Sequence, residues 1–76
     1  MIRIRLSRLL GEKRVSQAEL ARKTGIRANT INLIYNEFCD RISLEHLDAI
    51  CEVLGCDLSD LLERVPNFPQ SPRRKA

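Results

Sequence analysis

One twenty-residue stretch, residues 17–36, constrains the fold of this chain more than any other part. It contains a small residue at Ala21, a glycine four positions later at Gly25, and two isoleucines, Ile31 and Ile34, at helical spacing. A small residue lets two helices cross closely, and glycine readily adopts the positive φ of a tight turn. The isoleucines would share one face of the later helix. The stretch therefore predicts two short helices that meet at a glycine corner.

The earlier helix of this pair has the clearest start signal in the sequence. Ser16 at the N-cap and Glu19 three residues later have the spacing of a capping box, while Val15 and Leu20 can form a hydrophobic staple. Gly25 ends this helix, and the side chain of Ile26 would fill the space inside the turn.

The later helix, predicted from Ala28 to about Asn36, separates into two faces. Its core stripe is predicted to contain Ile31, Ile34 and Phe38. The opposite face has no charged residue and consists of Ala28, Asn29, Asn32, Leu33 and Asn36. Asparagine is a poor helix former that is better suited to hydrogen bonding with an external group. This face is therefore predicted to contact a ligand.

The remaining sequence predicts three further helices and a short strand. The first helix runs from about Leu6 to Lys13, although Gly11 weakens it by roughly 1 kcal/mol relative to alanine. Ser43 caps a fourth helix and Gly55 ends it; the apolar residues predicted to face inward are Leu44, Leu47, Ile50, Cys51 and Leu54. Asp57 caps a short fifth helix in which Leu58, Leu61 and Leu62 are apolar. The fold class is therefore all-α.

The two ends of the folded region are predicted to meet. Apolar residues alternate with arginines from Ile2 to Leu6, which favours a short strand. We expect residues 2–5 to pair with residues 63–65 as a two-stranded ribbon, which two subunits could exchange. With 76 residues, the chain is expected to form one domain at 1–65, followed by a disordered, proline-containing basic tail at 66–76.

The charge of the chain is divided unevenly along its length. Residues 1–36 carry a net charge of +6, residues 37–65 carry −6, and the tail carries +3. The first part, which contains the predicted corner, therefore suits a polyanion. A chance distribution of charged helix faces is the alternative explanation. No apolar run approaches the roughly 20 residues of a membrane span, and no secretory signal is visible, so we expect a cytoplasmic protein.

The residues at Gln17, Ala21, Gly25, Ile31 and Ile34 together resemble the motif of the Cro/CI-type (XRE-like) helix-turn-helix family. The resemblance extends over about residues 5–63. It implies a compact, five-helix, lambda-repressor-like domain that binds double-stranded DNA and regulates transcription, as phage repressors do. It also implies that Gln17 bonds a phosphate and that the helix at about 28–36 lies in the major groove.

Two sets of DNA contacts are expected, those of Gln17 and the uncharged helix face by this resemblance and those of the arginines by their charge and position. The base-contacting set is Arg27, Ala28, Asn29, Asn32 and Leu33, and the phosphate-contacting set is Gln17, Asn36, Arg14, Arg22 and Arg41. Asparagine offers a donor and an acceptor side by side, which matches adenine in the major groove. Because specific affinity usually needs two half-sites, we also expect a homodimer.

The sequence departs from the family pattern at two places. Arg27 stands where the family often has a serine or threonine cap, which suggests a DNA contact instead. The acids Glu37 and Asp40 follow the recognition helix where the family often has Asn-Gly, and they weaken the case for a backbone contact by that loop. Arg41 is the residue in the loop that could supply one.

Three other functions are alternatives to DNA binding. Zinc binding by Cys39, His46, Cys51 and Cys56 is disfavoured because their spacing matches no usual zinc pattern. Catalysis is disfavoured because no nucleophile has a partner base at recognisable spacing, and no cofactor is implied. The alternative that stays open is an antitoxin-like or adaptor module whose acidic half holds a protein partner.

Overall fold

The computed structural model of the chain describes residues 1–66. In order, these residues form β1 (Ile2–Ile4), α1 (Leu6–Lys13), α2 (Gln17–Thr24), α3 (Ala28–Tyr35), α4 (Leu44–Leu54), α5 (Leu58–Leu61) and β2 (Leu62–Arg64). The predicted five-helix class with a terminal ribbon is confirmed. The predicted tail at 66–76 lies, apart from Pro66, outside the described residues, and the domain boundary stays a prediction. None of the helices within residues 1–66 has the length and apolar character needed to cross a membrane.

Every helix contributes to one apolar core. The buried side chains are Leu6, Leu9, Leu10, Leu20, Ile26, Ile31, Ile34, Leu47, Ile50, Leu54 and Leu61. Burying a leucine or isoleucine side chain contributes about 1.5–3 kcal/mol. Because α1 supplies three of these leucines, its packing offsets the helix penalty of Gly11. Ile26 is buried after the corner, as predicted for the residue that plugs the turn.

Local side-chain and backbone signals fix the helix ends. The Ser16 hydroxyl accepts a hydrogen bond from the Glu19 backbone N–H at 3.0 Å, which is the predicted N-cap of α2. The second half of the predicted capping box is replaced, since the Glu19 carboxylate lies 3.3 Å from the Lys23 ammonium. Gly25 ends α2 with φ of 77°, and its N–H donates to the Ala21 carbonyl at 2.9 Å.

Two residues predicted to face the core, Phe38 and Leu44, are exposed instead, and so is Leu58, an apolar residue of α5. Phe38 is 73% exposed, because α3 ends at Tyr35 and Glu37 then adopts φ of 59°, so the helical spacing does not continue. Leu44 and Leu58 are 81% and 51% exposed. Each is the first residue of its helix, where a side chain leans past the helix end rather than onto the next turn.

The two ends of the described chain form an antiparallel ribbon. β1 pairs with β2 in the register Ile2 with Arg64, Arg3 with Glu63 and Ile4 with Leu62. Backbone bonds extend the pairing at both ends, from the Val65 N–H to the Met1 carbonyl and from the Arg5 N–H to the Leu61 carbonyl. The predicted pairing is confirmed within one chain, while its exchange between subunits stays a prediction.

Candidate nucleic-acid interface

The corner between α2 and α3 presents one face of α3 to solvent. α2 packs against both α3 and α4, and Ile31 and Ile34 are buried in the shared core. Because these two isoleucines fix the rotation of α3 about its axis, the opposite side must point outward. The residues of this outer face, which are all exposed, are Ala28, Asn29, Asn32, Leu33 and Asn36.

A row of amide hydrogen bonds connects the outer face of α3 to the start of α2. The Asn36 amide nitrogen donates to the backbone carbonyl of Asn32 at 3.0 Å and to its side-chain oxygen at 3.3 Å. The Asn32 amide nitrogen donates in turn to the Gln17 side-chain oxygen at 3.2 Å. Gln17 therefore keeps its amide N–H groups for an outside acceptor. Asn29 stands apart from this row and makes no side-chain hydrogen bond within residues 1–66.

The exposed basic residues near the corner fall into two groups. Arg8 lies 3.6 Å from Glu12, and Lys23 lies 3.3 Å from Glu19, so both cations have an acidic neighbour one helical turn away. The other group is exposed, and within residues 1–66 it forms no ion pair; it consists of Lys13, Arg14, Arg22, Arg27 and Arg41. The four arginines of this group, but not Lys13, belong to the DNA contacts predicted from the sequence.

Four of the predicted contacts line two surface pockets. Arg14 and Gln17 line one pocket together with Ser16, beside the N-terminus of α2. Backbone N–H groups at a helix N-terminus favour an anion. Arg41 and Leu33 line a second pocket on the side of the loop between α3 and α4. Arg22 lines neither of these pockets.

Glu37, which follows α3, is tied to the terminal ribbon. Its carboxylate accepts two hydrogen bonds from the Arg3 guanidinium, at 2.8 and 2.9 Å, and one from the Ile4 backbone N–H at 3.0 Å. The bond from Arg3, followed by the bond from Ile4, lowers the pKa of Glu37 to about 2. The negative charge of Glu37, which weakens the case for a DNA contact by this loop, is therefore neutralised by Arg3, 34 positions earlier in the chain.

The candidate zinc ligands do not converge. Cys39 and His46 line the pocket of Arg41, whereas Cys51 and Cys56 line another pocket between α4 and α5. In the part of the chain that the structure describes, no three His, Cys, Asp or Glu side chains are arranged to hold a metal ion.

Comparisons with known proteins extend over most of the chain. The model of the Cro/C1-type HTH DNA-binding domain matches residues 5–67. YozG of Bacillus subtilis (strain 168), an uncharacterized HTH-type transcriptional regulator, is 32% identical over 60 residues, covering 79% of this chain and 71% of YozG. The crystal structure of a candidate DNA-binding protein from Bacteroides fragilis has a TM-score of 0.75 and 28% identity, covering 83% of this chain and 100% of that chain. The family match includes the whole outer face of α3.

Proposed function

The chain belongs to the Cro/C1-type helix-turn-helix DNA-binding family, and we propose that it is a transcriptional regulator that binds a specific sequence of double-stranded DNA. α3 lies in the major groove in this proposal. The observation that carries it is the outer face of α3, which is exposed, uncharged and rich in asparagine, and which is surrounded by arginines that form no ion pair within residues 1–66. Such a face suits the edges of bases, which are read by hydrogen bonds and methyl contacts. The arginines around it suit the phosphates.

Base reading is assigned first to Asn29. It lies in the first turn of α3, and the N-terminal part of a recognition helix usually meets the base edges. Its free amide can donate to and accept from one adenine at the same time. Arg27 would reach a guanine, Ala28 and Leu33 would contact thymine methyl groups, and Asn32 would add a further base contact.

Phosphate binding is assigned to five residues around this face: Gln17, Asn36, Arg14, Arg22 and Arg41. Gln17 is the best supported, because Asn32 occupies its oxygen and leaves the amide N–H groups that a phosphate can accept. Arg14 lines the same pocket as Gln17, so both can approach one phosphate beside the positive end of the α2 dipole.

The proposed active form is a cytoplasmic homodimer without a catalytic function. One domain of this size presents one α3, and specific affinity usually comes from two half-sites about 34 Å apart on one face of the duplex. Two subunits would therefore place two α3 helices in successive major grooves.

Selection from random duplexes tests this proposal directly. The purified protein is mixed with a pool of randomised double-stranded DNA in dilute buffer, and the bound molecules are amplified and sequenced over several rounds. We expect a single motif to be enriched, arranged as two related half-sites. Absence of any enriched motif, together with no binding to duplex DNA at low salt, would contradict the proposal.

A protein-binding module is the second candidate, and one feature supports it. Leu44 and Leu58 are exposed beside Asp48 and Asp57 on the surface between α4 and α5, where an apolar, basic partner would fit. A salt titration separates the two functions. DNA affinity falls steeply with salt because phosphate neutralisation releases counterions, whereas a mainly apolar protein interface responds little.

A further inference from the structure

Two cysteines flank the turn that ends α4. Gly55 adopts φ of 63°, and the Cys56 N–H donates to the Cys51 carbonyl at 3.1 Å. This bond links the two positions of a Schellman motif whose side chains usually touch. The motif normally brings two apolar side chains together at a helix end. Here the two positions are Cys51 and Cys56, which line one pocket.

The backbone geometry meets the requirement for a disulfide. A hydrogen bond of 3.1 Å between the Cys56 nitrogen and the Cys51 oxygen limits the separation of the two Cα atoms to less than about 7 Å. Cysteines with Cα atoms more than about 7 Å apart cannot be joined without moving the backbone. The backbone therefore meets the distance condition for a bond between Cys51 and Cys56.

Both thiols are also within reach of a small reagent. Cys51 and Cys56 are half-buried and line the open pocket between α4 and α5 together with Leu47 and Leu58. Burial raises the pKa of Cys51 to about 11, and the neighbouring Cys56 thiol adds to this effect. Cys51 is therefore the thiol that we expect to react second, because only the thiolate is an effective nucleophile.

We propose that Cys51 and Cys56 form a dithiol site that closes reversibly into an intramolecular disulfide when it meets a low-molecular-weight disulfide. The Cys56 thiolate attacks one sulfur of the reagent, forms a mixed disulfide and releases one thiolate. Cys51 then loses its proton and attacks the Cys56 sulfur, which releases the second thiolate. Two protein thiols are oxidised, and one reagent disulfide is reduced to two thiols.

This dithiol site is separate from the proposed DNA interface. None of the ten residues assigned to bases or phosphates lines the pocket of Cys51 and Cys56. The third cysteine, Cys39, lies in the pocket of Arg41. A test of the dithiol can therefore fail or succeed independently of the proposed DNA binding.

The experiment uses oxidised glutathione and intact-protein mass spectrometry. Cys39→Ser removes the third thiol, and the remaining pair is treated at pH 8 with excess oxidised glutathione. We expect the mass to fall by about 2 Da with no glutathione attached, and dithiothreitol to reverse the change. The matched controls are Cys39→Ser/Cys51→Ser and Cys39→Ser/Cys56→Ser, in which a glutathione adduct should persist.

A second measurement tests whether the fold itself brings the thiols together. The same oxidation is followed in urea sufficient to unfold the chain. We expect the mixed disulfide to close faster in the folded protein, where the two thiols are neighbours, than in the unfolded chain. Two stable glutathione adducts on the folded protein, disulfide-linked dimers, or closure no faster than in urea would each overturn the proposal.

Discussion

Asn29 and Gln17, both amides at the α2–α3 corner, have different roles in the proposed complex. Replacing Asn29 with alanine removes a base-reading amide, so we expect specificity to relax at one position of the site at a cost of about 1–3 kcal/mol. Replacing Gln17 with alanine removes a phosphate contact, so affinity should fall about equally on all sequences. Selection and fluorescence anisotropy on matched duplexes measure both effects. An unchanged selected motif with Asn29→Ala would show that this amide does not read a base.

Glu37 adds a prediction about stability and pH. Its pKa is lowered from the ordinary value of 4.5 to about 2 by the bonds from Arg3 and Ile4. The stabilisation is therefore fully present above about pH 4.5 and is lost as the pH falls through 2. Because the pair is partly solvated, we expect Glu37→Gln to lower the free energy of unfolding by only about 1 kcal/mol at pH 7.

Thermal unfolding from pH 7 to pH 2 measures this difference. The gap in Tm between the wild type and Glu37→Gln should be constant down to about pH 5 and then shrink. Glu12→Gln is the matched control, since Glu12 lies 3.6 Å from Arg8 in an exposed pair, and its gap should be small throughout. If the difference in Tm for Glu37→Gln were equally small at pH 7, the bonds between Glu37 and the ribbon would contribute nothing to stability.

At the scale of the helices, two glycines predict opposite effects of the same substitution. Gly11 lies inside α1, and an added Cβ would meet nothing within 4 Å, so Gly11→Ala should stabilise the protein by about 0.5–1 kcal/mol. Gly25 also has open space, but its φ is 77°, so Gly25→Ala should destabilise by about 1–2 kcal/mol. Urea denaturation measures both. If both substitutions changed the free energy of unfolding in the same direction, backbone conformation would not be what requires glycine at the corner.

The start of α3 predicts a conflict between stability and DNA binding. Arg27 occupies the N-cap with extended backbone, yet its side chain makes no capping hydrogen bond. Serine at this position would cap α3, so we expect Arg27→Ser to stabilise the fold by up to about 1 kcal/mol. It should also weaken DNA binding, because a guanidinium at the interface is lost. A variant that is both less stable and equally tight on DNA would contradict both parts.

The helices were predictable because their signals are local. Caps at Ser16 and Ser43, and glycines at Gly25 and Gly55, act within a few residues of the ends that they define. The exposure of Phe38 was not predictable from spacing, since it depends on where α3 stops. The outer face of α3 followed from the positions of the two buried isoleucines. The contact between Glu37 and Arg3 had no local signal, because it joins residues 34 positions apart.

For the molecule as a whole, the structure sharpens the charge division seen in the sequence. Glu37 pairs with Arg3 of β1, and Glu63 pairs with Arg5, the residue that follows β1. Both acids belong to the acidic part of the chain, residues 37–65. Within residues 1–66, the acids left without an ion pair are Asp40, Glu45, Asp48, Glu52, Asp57 and Asp60, most of them on or beside α4 and α5. Within the same residues, the arginines without an ion pair are instead concentrated around α2 and α3.

This division predicts how the protein should respond to salt. Three arginines per subunit, Arg14, Arg22 and Arg41, are proposed to neutralise phosphates, so a dimer should show a slope of about −5 in a plot of log affinity against log salt. Arg22→Gln removes two of these contacts per dimer and should reduce the slope by about 2. Glu52→Gln changes the charge by one unit in the opposite direction on α4, away from the proposed contacts, and should leave the slope nearly unchanged. Changes in slope of equal size and opposite sign for the two variants would mean that the overall charge of the protein, rather than the proposed contacts, controls DNA binding.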